Sequence, residues 1–380
     1  MIIKNGLVYR TNEFVKEDLF VVGDKVAKAA SCDEIVIDAE DKYVIPGLVD
    51  VHFHGCAGYD FCDGTMEAIE KIATYELSRG VTTIVPASMT LAEDMLEHIF
   101  ETAAAFSKKY QNGSCDKLNQ FAWLAGIHME GPYISEKKKG AQNAAYLQTP
   151  DVDAFRKLNE KSGNMIRIVS VAPEIDHAME FIKEVEKEVV VSVAHTTADY
   201  DIAKEAFDGG ACHVTHTYNA MPPFTHRAPG VVGAAYDGKQ VMIELICDGI
   251  HIHPAMIRAT SGMFGKDRVV FVSDSMMGTG LEDGMYQLGG QDVIKKGNLA
   301  TLHDGTIAGS VTDLYDCMCK AVEFGIPVVD AVRFASENPA KSARLGKEYG
   351  NLNEGAFADV LIVDKNMKLE KIIHRGVVVK

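Results

Sequence analysis

Short apolar runs recur along the chain with a regular rhythm. Eight of them, at 43–54, 80–88, 121–131, 165–174, 189–196, 211–220, 241–251 and 268–276, read as near-continuous apolar, strand-like stretches. A strand with one wet face alternates polar and apolar residues. Unbroken runs therefore predict strands buried on both faces, as in a parallel sheet wrapped by helices. Between them lie stretches such as 65–78, 91–109, 175–188 and 198–208, where apolar residues recur at helical spacing opposite polar faces. A last helix is predicted at 311–324, after a hairpin-like excursion that follows the eighth run. Eight strand–helix units in roughly 300 residues suit a closed (β/α)8 barrel of the TIM type, an α/β fold. A doubly wound sheet competes, but no GxGxxG follows the first run and no GxxxxGKS or GxxxxGKT occurs.

The two ends of the chain have a different pattern. Residues 2–9, 19–22, 26–29 and 35–37 predict short strands separated by turn signals such as Val22-Gly23-Asp24, and 358–364 and 372–379 predict two more. Neither end is long enough to bury a core alone. Both are expected to combine into one small β-domain, a β-sandwich formed by residues 1–48 and 350–380, with the barrel (49–349) inserted between them.

Composition narrows the function classes. The chain has 380 residues, 47% of them apolar, enough to fill a substantial core and to exclude a mostly disordered chain. With 54 acidic against 38 basic side chains the net charge is -16, which disfavours nucleic acid or an anionic membrane as a general partner. No basic start leads into a long apolar run, and no apolar stretch reaches the roughly 18 residues a membrane span needs. The eight cysteines, at 32, 56, 62, 115, 212, 247, 317 and 319, form no CxxC pair and are too sparse for a disulfide scaffold. Reduced thiols in a cytoplasmic protein are the expectation.

The chemistry concentrates where the runs end. His52 and His54 stand two apart at the end of the first run, so period-two geometry points both imidazoles to one side, toward the barrel mouth. Glu130 ends the third run, His195 the fifth, His216 the sixth and Asp274 the eighth. Taken singly, each is ordinary: a lone histidine in a run is most often a packed, hydrogen-bonded one, and Glu130 or Asp274 could cap a turn. Taken together, six ligand-competent groups at converging strand ends would cost several kcal/mol each to bury unpaired. A metal cluster satisfies them jointly. Histidine and carboxylate without thiolate favour Zn²⁺, Fe²⁺, Co²⁺ or Mn²⁺ over a structural cysteine-type zinc site. Cys56 follows His54 too closely to share its rim position, and His128, on the same side as Glu130 by period two, is expected to support the ligands rather than join them.

The motifs PGLVDVHFHG, GIHMEGPYI, SVAHTTAD, VTHTYNAMPPFTHRAPG, ICDGIHIHP, VSDSM and GTIAGS, with GAFADVLIVD near the end, span nearly the whole chain. Together they resemble the amidohydrolase superfamily and, within it, the N-acetylglucosamine-6-phosphate deacetylases. The resemblance implies that Glu130, His195 and His216 hold the main ion. It implies that Glu130 bridges to a second ion at His52 and His54, and that Asp274 acts as general base and acid. It further implies hydrolysis of N-acetyl-D-glucosamine 6-phosphate to D-glucosamine 6-phosphate and acetate, in amino-sugar catabolism or recycling. Members can carry a histidine after the third strand beside the substrate acetyl group; here KKKGAQNAAY places Gln142 there, an amide donor that does not titrate. Asn219 and the backbone of Ala220 would meet the phosphate. Arg227 and His251 would reach it from a neighbouring subunit, implying a homodimer. Ile307 and Ala308, before Gly309, look like a close-approach lining for the sugar and acetyl group.

Three other readings fit some of these residues. A deacetylase of N-acetylgalactosamine 6-phosphate would use the same chemistry on the epimeric sugar. A dihydroorotase-like cyclic amidase commonly uses a modified lysine at the end of the fourth strand, whereas that end here reads VSVAPE. A non-catalytic sensor of amino-sugar phosphates would not require Asp274 together with the full histidine set.

Overall fold

The computed structural model describes residues 1–29, 35–111 and 118–380; Cys32 and Cys115 lie outside them. Seven of the eight apolar runs lie wholly in the barrel, and the first enters it at Leu48. The barrel strands are Leu48–Asp50, Val81–Ile84, the pair Trp123–Leu124 and Ile127–Glu130, Ile166–Val171, Val190–Val193, His213–Val214, Met242–Ile246 and Val269–Val272. They pair in parallel in chain order, in one ladder from the first to the third and another from the third to the eighth. The ring closes beyond the last ladder: the Asp274 N–H donates to the His52 carbonyl at 2.9 Å, and the His54 N–H to the Ser275 carbonyl at 2.8 Å. The curled parallel sheet wrapped by helices is thus present as the unbroken apolar pattern required.

Each strand is shorter than its run, and two runs depart most from their predicted extents. The run 43–54 serves two sheets, since Tyr43–Pro46 pairs with the chain ends while Leu48–Asp50 enters the barrel. Gly47 makes the transfer, and a Cβ there would stand only 2.2 Å from Thr82 Oγ1. Apolar continuity cannot reveal such a handover, because both halves are buried. The run 211–220 pairs only at His213–Val214 and then turns, with positive φ at His216, Tyr218 and Ala220.

The chain ends meet as expected. Ile2–Arg10, Glu13–Val22, Lys25–Ala27, Val36–Asp38, Tyr43–Pro46, Val360–Val363, Leu369–His374 and Val377–Val378 lie in one sheet. All eight strands belong to a single hydrogen-bonded sheet, so the two layers expected of a sandwich are not separate sheets. The second strand is longer than predicted because residues 13–18 are mostly solvent-facing and polar, which hides their pairing. The sheet has its own buried cluster, including Ile3, Val8, Leu19, Val44, Ile362 and Ile373. Val360–Val363 joins it to the barrel: Val360 and Ile362 face that cluster, while Leu361 and Val363 face the barrel's. Alternate side chains of one strand thereby connect the two cores.

The excursion after the eighth strand is a three-stranded antiparallel sheet, Gly284–Leu288, Gln291–Lys296 and Leu299–Thr301. The final barrel helix, Leu314–Glu323, is N-capped by Asp313, whose carboxylate accepts from the Asp316 N–H. Cys56, Cys62, Cys212, Cys247, Cys317 and Cys319 are free thiols. Among the described residues no helix is long and apolar enough to cross a membrane. Leu361→Ala, which opens a cavity on the barrel side of the shared strand, should lower unfolding free energy by about 2–5 kcal/mol in chemical denaturation.

Candidate metal centre

The strand ends deliver the six residues to one point. His195, His216 and Asp274 leave their strands with φ of 42°, 28° and 49°, a region that non-glycine residues enter at a cost and that turns each side chain into the mouth. Glu130 is the hub. Its Oε1 lies 3.0 Å from His216 Nε2, 3.2 Å from His195 Nε2 and 3.4 Å from His52 Nε2. Its Oε2 lies 3.4 Å from His54 Nε2. Asp274 Oδ1 stands 3.3 Å from His54 Nε2 and 3.8 Å from His52 Nε2. All six side chains are buried.

Three groupings have ligand atoms close enough to share an ion, and two of them meet at Glu130: Glu130 with His195 and His216, and Glu130 with His52 and His54; the third, His52 with His128 and Glu244, lies behind them. Two of the four ring nitrogens turned away from the centre are held by acceptors, whereas Nδ1 of His54 and of His216 have no hydrogen-bond partner among the described residues. His195 Nδ1 donates to the Lys138 carbonyl at 2.8 Å, and His52 Nδ1 to Glu244 Oε2 at 2.8 Å. Each fixes the tautomer whose Nε2 lone pair faces inward. His52 Nε2 itself is a buried atom with no hydrogen-bond partner in the protein.

Electrostatics agree with a cation at this point. Burial disfavours ionisation of Glu130, yet the charge of His52 and the hydrogen-bonding contacts with His195 and His216 hold its carboxyl well below the usual range. Burial likewise opposes the Asp274 carboxylate, and His54 and His52 overcome it. For the histidines the signs reverse: burial disfavours the imidazolium, but Glu244 and Glu130 raise His52, while Asp274 and Glu130 raise His54 to about 10. The centre therefore demands positive charge, and a divalent ion meets that demand with neutral imidazoles.

The mouth is a cavity of about 410 Å³ lined by His54, Glu130, His195, His216 and Asp274, with Gln142, Asn219, Ala220, His251 and Ile307 around them. Gln142 is more committed than its position in the sequence suggests. Its Nε2 donates to Glu130 Oε2 at 2.8 Å, and its Oε1 accepts the Thr90 N–H at 2.6 Å. His251 lines the cavity of its own chain, where the expectation placed it in a neighbour's, and its Nδ1 donates to Asp248 Oδ2 at 2.7 Å. Ala308 is fully buried behind the wall; Ile307 and Gly309 form the surface instead. At Gly309, with φ of 61°, a Cβ would lie 3.2 Å from the Asp274 carbonyl, so glycine lets this segment approach the strand end. Arg227 is exposed and does not line its own chain's cavity. His226 is also exposed, and His253 caps the helix Pro254–Phe264.

Three residues were missed by the sequence reading. Lys137 and Lys138 line the cavity, and Lys138 Nζ donates to the Met221 carbonyl at 3.3 Å, beside Asn219 and Ala220. Glu244, fully buried in the seventh strand, accepts from His52 Nδ1 and from the His216 N–H, both at 2.8 Å. A lone carboxylate inside the run VMIELIC was the available signal for Glu244. His128 sits below the ligands, bonded to the Val51 carbonyl at 3.0 Å and to Ser170 Oγ at 2.9 Å, with its ring 4.6 Å from that of His52.

A barrel with a buried histidine–carboxylate centre at the C-terminal ends of its strands defines a divalent-metal enzyme of the barrel hydrolase class. The model of the amidohydrolase family matches residues 43–379, and the chain belongs to that family. It is 32% identical to the N-acetylglucosamine-6-phosphate deacetylase of Bacillus subtilis, over 99% of this chain and 96% of that protein. It is 29% identical to the N-acetylgalactosamine-6-phosphate deacetylase of Escherichia coli O157:H7, over 90% of this chain and 89% of that one. The N-acetyl-D-glucosamine-6-phosphate deacetylase of Mycobacterium smegmatis, solved in complex with N-acetyl-D-glucosamine-6-phosphate, superposes with a TM-score of 0.91 at 29% identity. That match covers 100% of this chain and 98% of the other.

Glu130→Ala removes the carboxylate that all four imidazoles face. Elemental analysis of the purified protein should show its metal content reduced more than about tenfold, while Cys56→Ala retains the wild-type content.

Proposed function

We infer that this protein is an amidohydrolase that hydrolyses N-acetyl-D-glucosamine 6-phosphate to D-glucosamine 6-phosphate and acetate. The observation that carries the reading is the convergence of four imidazoles, Glu130 and Asp274 at one centre, all but His52 lining one cavity, in a chain similar over nearly its full length to deacetylases of that substrate.

Glu130, His195 and His216 would hold one ion, and His52 and His54, with Glu130 and Asp274 beside them, would hold a second. The donor set favours Zn²⁺, with Fe²⁺, Co²⁺ and Mn²⁺ as the alternatives. When bound, a divalent ion supplies Lewis acidity, making water a nucleophile near neutral pH and polarising the acetyl carbonyl. Asp274 lies at the cavity wall with Oδ1 turned to His54. It takes the proton from the attacking water and delivers it to the departing nitrogen, so that glucosamine leaves as a neutral amine rather than an amide anion. Gln142 uses one amide hydrogen on Glu130, which leaves the second for the acetyl oxygen. Ile307 bounds the sugar side.

At the other end, Asn219, the backbone of Ala220 and His251 receive the phosphate dianion. Among the described residues none accepts the Ala220 N–H, and Ala220 has a φ of 52°. An unspent N–H beside cationic groups is a phosphate site in kind. Arg227, exposed on its own chain, completes the site from a second copy in a homodimer. We place the enzyme in the cytoplasm, in amino-sugar catabolism or recycling, with domain limits of 1–48 and 350–380 around the barrel 49–349.

Acetate release by the purified protein on the gluco and galacto epimers, with metal content measured in parallel, tests the reading. At least tenfold higher kcat/KM on the gluco substrate is expected, about 1.4 kcal/mol in the barrier; equal efficiency would overturn the narrow assignment. Asp274→Asn should lower kcat by about 10²–10⁴ with metal retained, and near-wild-type turnover would remove the base role. Arg227→Ala should raise KM for the phosphorylated sugar far more than for N-acetylglucosamine, and equal effects on both would take Arg227 off the phosphate.

A further inference from the structure

We propose that Glu244 is the positioning residue that couples the two metal positions, setting His52 in one and His216 in the other through a single carboxylate oxygen. The inference rests on the metal-enzyme reading above and concerns a residue that touches neither substrate nor the cavity.

Glu244 sits mid-strand between Ile243 and Leu245, fully buried, in a run of apolar neighbours. A carboxylate there forfeits its hydration, a penalty of several kcal/mol that persists only where bonded donors offset it. The donors are specific. Oε2 accepts from His52 Nδ1 and from the backbone N–H of His216, each at 2.8 Å. The first bond puts the only imidazole hydrogen of His52 on Nδ1. It thereby leaves Nε2 as an inward-facing lone pair, 3.4 Å from Glu130 and 3.8 Å from Asp274. The second bond pins the left-handed turn, φ of 28°, that swings the His216 ring against Glu130 and His195.

Two other rings face the remaining oxygen. Oε1 stands 3.9 Å from His128 Nδ1 and 3.8 Å from His213 Nδ1, and it has no hydrogen-bond partner. His128 Nδ1 is already committed to the Val51 carbonyl, and His213 Nδ1 to Ser192 Oγ at 3.1 Å. Among the described residues the hydrogen bonds of the Glu244 carboxylate therefore go to His52 and His216 alone, while its backbone carbonyl accepts the Thr217 N–H. The carboxylate increases the basicity of His52 toward an ion, as carboxylate–histidine–metal triads do. Because the same oxygen fixes the turn at His216, loss of Glu244 acts on both positions at once.

The test is zinc binding by the full chain after its resident metal has been removed, read by competition with a chelator. Cobalt substitution serves as a second readout, because the visible Co²⁺ spectrum reports ligand geometry independently of turnover. Glu244→Ala should weaken both zinc sites, the His52–His54 site by about 10–100-fold, and should alter the cobalt spectrum. Glu244→Gln keeps the shape and can still accept both hydrogen bonds but lacks the charge. It should weaken the His52–His54 site while leaving the His216 site within about twofold of wild type, which a purely structural role would not produce. Glu76→Gln, a change at another fully buried carboxyl outside the cavity wall, should leave both affinities unchanged. The proposal is overturned if Glu244→Ala or Glu244→Gln binds two zinc ions with wild-type affinities, or if Glu76→Gln weakens them as much. A wild-type chain that binds no zinc overturns the metal reading itself, whereas unaffected variants of a zinc-binding wild type overturn only the role of Glu244.

Discussion

One buried carboxylate organises the functional end of this molecule. Glu130 has four imidazoles within 3.4 Å of its two oxygens and an amide from Gln142 on one of them. A carboxylate removed from water with this many partners is stable only if all of them arrive in register. Register in a closed barrel is set by all eight strands together. A slip of one residue in any ladder would move a ligand-bearing end to the opposite face, so the hydrogen-bonded ring and the site impose the same constraint.

Below the ligands lies a second polar tier inside the barrel. Ser170 Oγ links His128 to Thr215, Thr215 Oγ1 meets Ser192, and Ser192 Oγ reaches His213. Glu244 faces the upper side of this chain. Burial opposes its ionisation, but His52, by charge and hydrogen bond, keeps its carboxyl near 2. Burial lowers His128 to about 3, with the nearby His52 adding to the effect. Neutral rings in this tier can accept and donate without bringing a further charge into the core. The interior of the barrel is thus apolar at the bottom, hydrogen-bonded in the middle and charged at the mouth.

Net charge and the charge of the proposed substrate have the same sign. A chain of charge -16 repels an anionic sugar phosphate at long range. Attraction has to be local, from the metal centre, from Lys137, Lys138 and His251 on the cavity wall, and from exposed backbone donors. Within a Debye length of about 8 Å at physiological salt these near groups outweigh the distant acidic surface. Acidic composition argues against polyanionic partners without arguing against one phosphate.

The amino-acid pattern alone determined the barrel, the shared sheet of the two chain ends and the six candidate ligands. Unbroken apolar runs require two-sided burial, and the ends of parallel strands in a closed barrel converge whatever the intervening loops do. His52 with His54 was legible from period two, and the other four from their position at the ends of runs. Tertiary structure alone decided how the run 43–54 divides at Gly47, that His251 lines its own chain's cavity, that Ala308 lies behind the wall, and that Gln142 spends its amide on Thr90 and Glu130. It also decided the role available to Glu244, which the sequence presents only as an anomalous charge in a strand. The physical reason is common to these cases. Periodicity along a chain reports which face is buried, but hydrogen-bond partners are set by where residues distant in the chain come to rest.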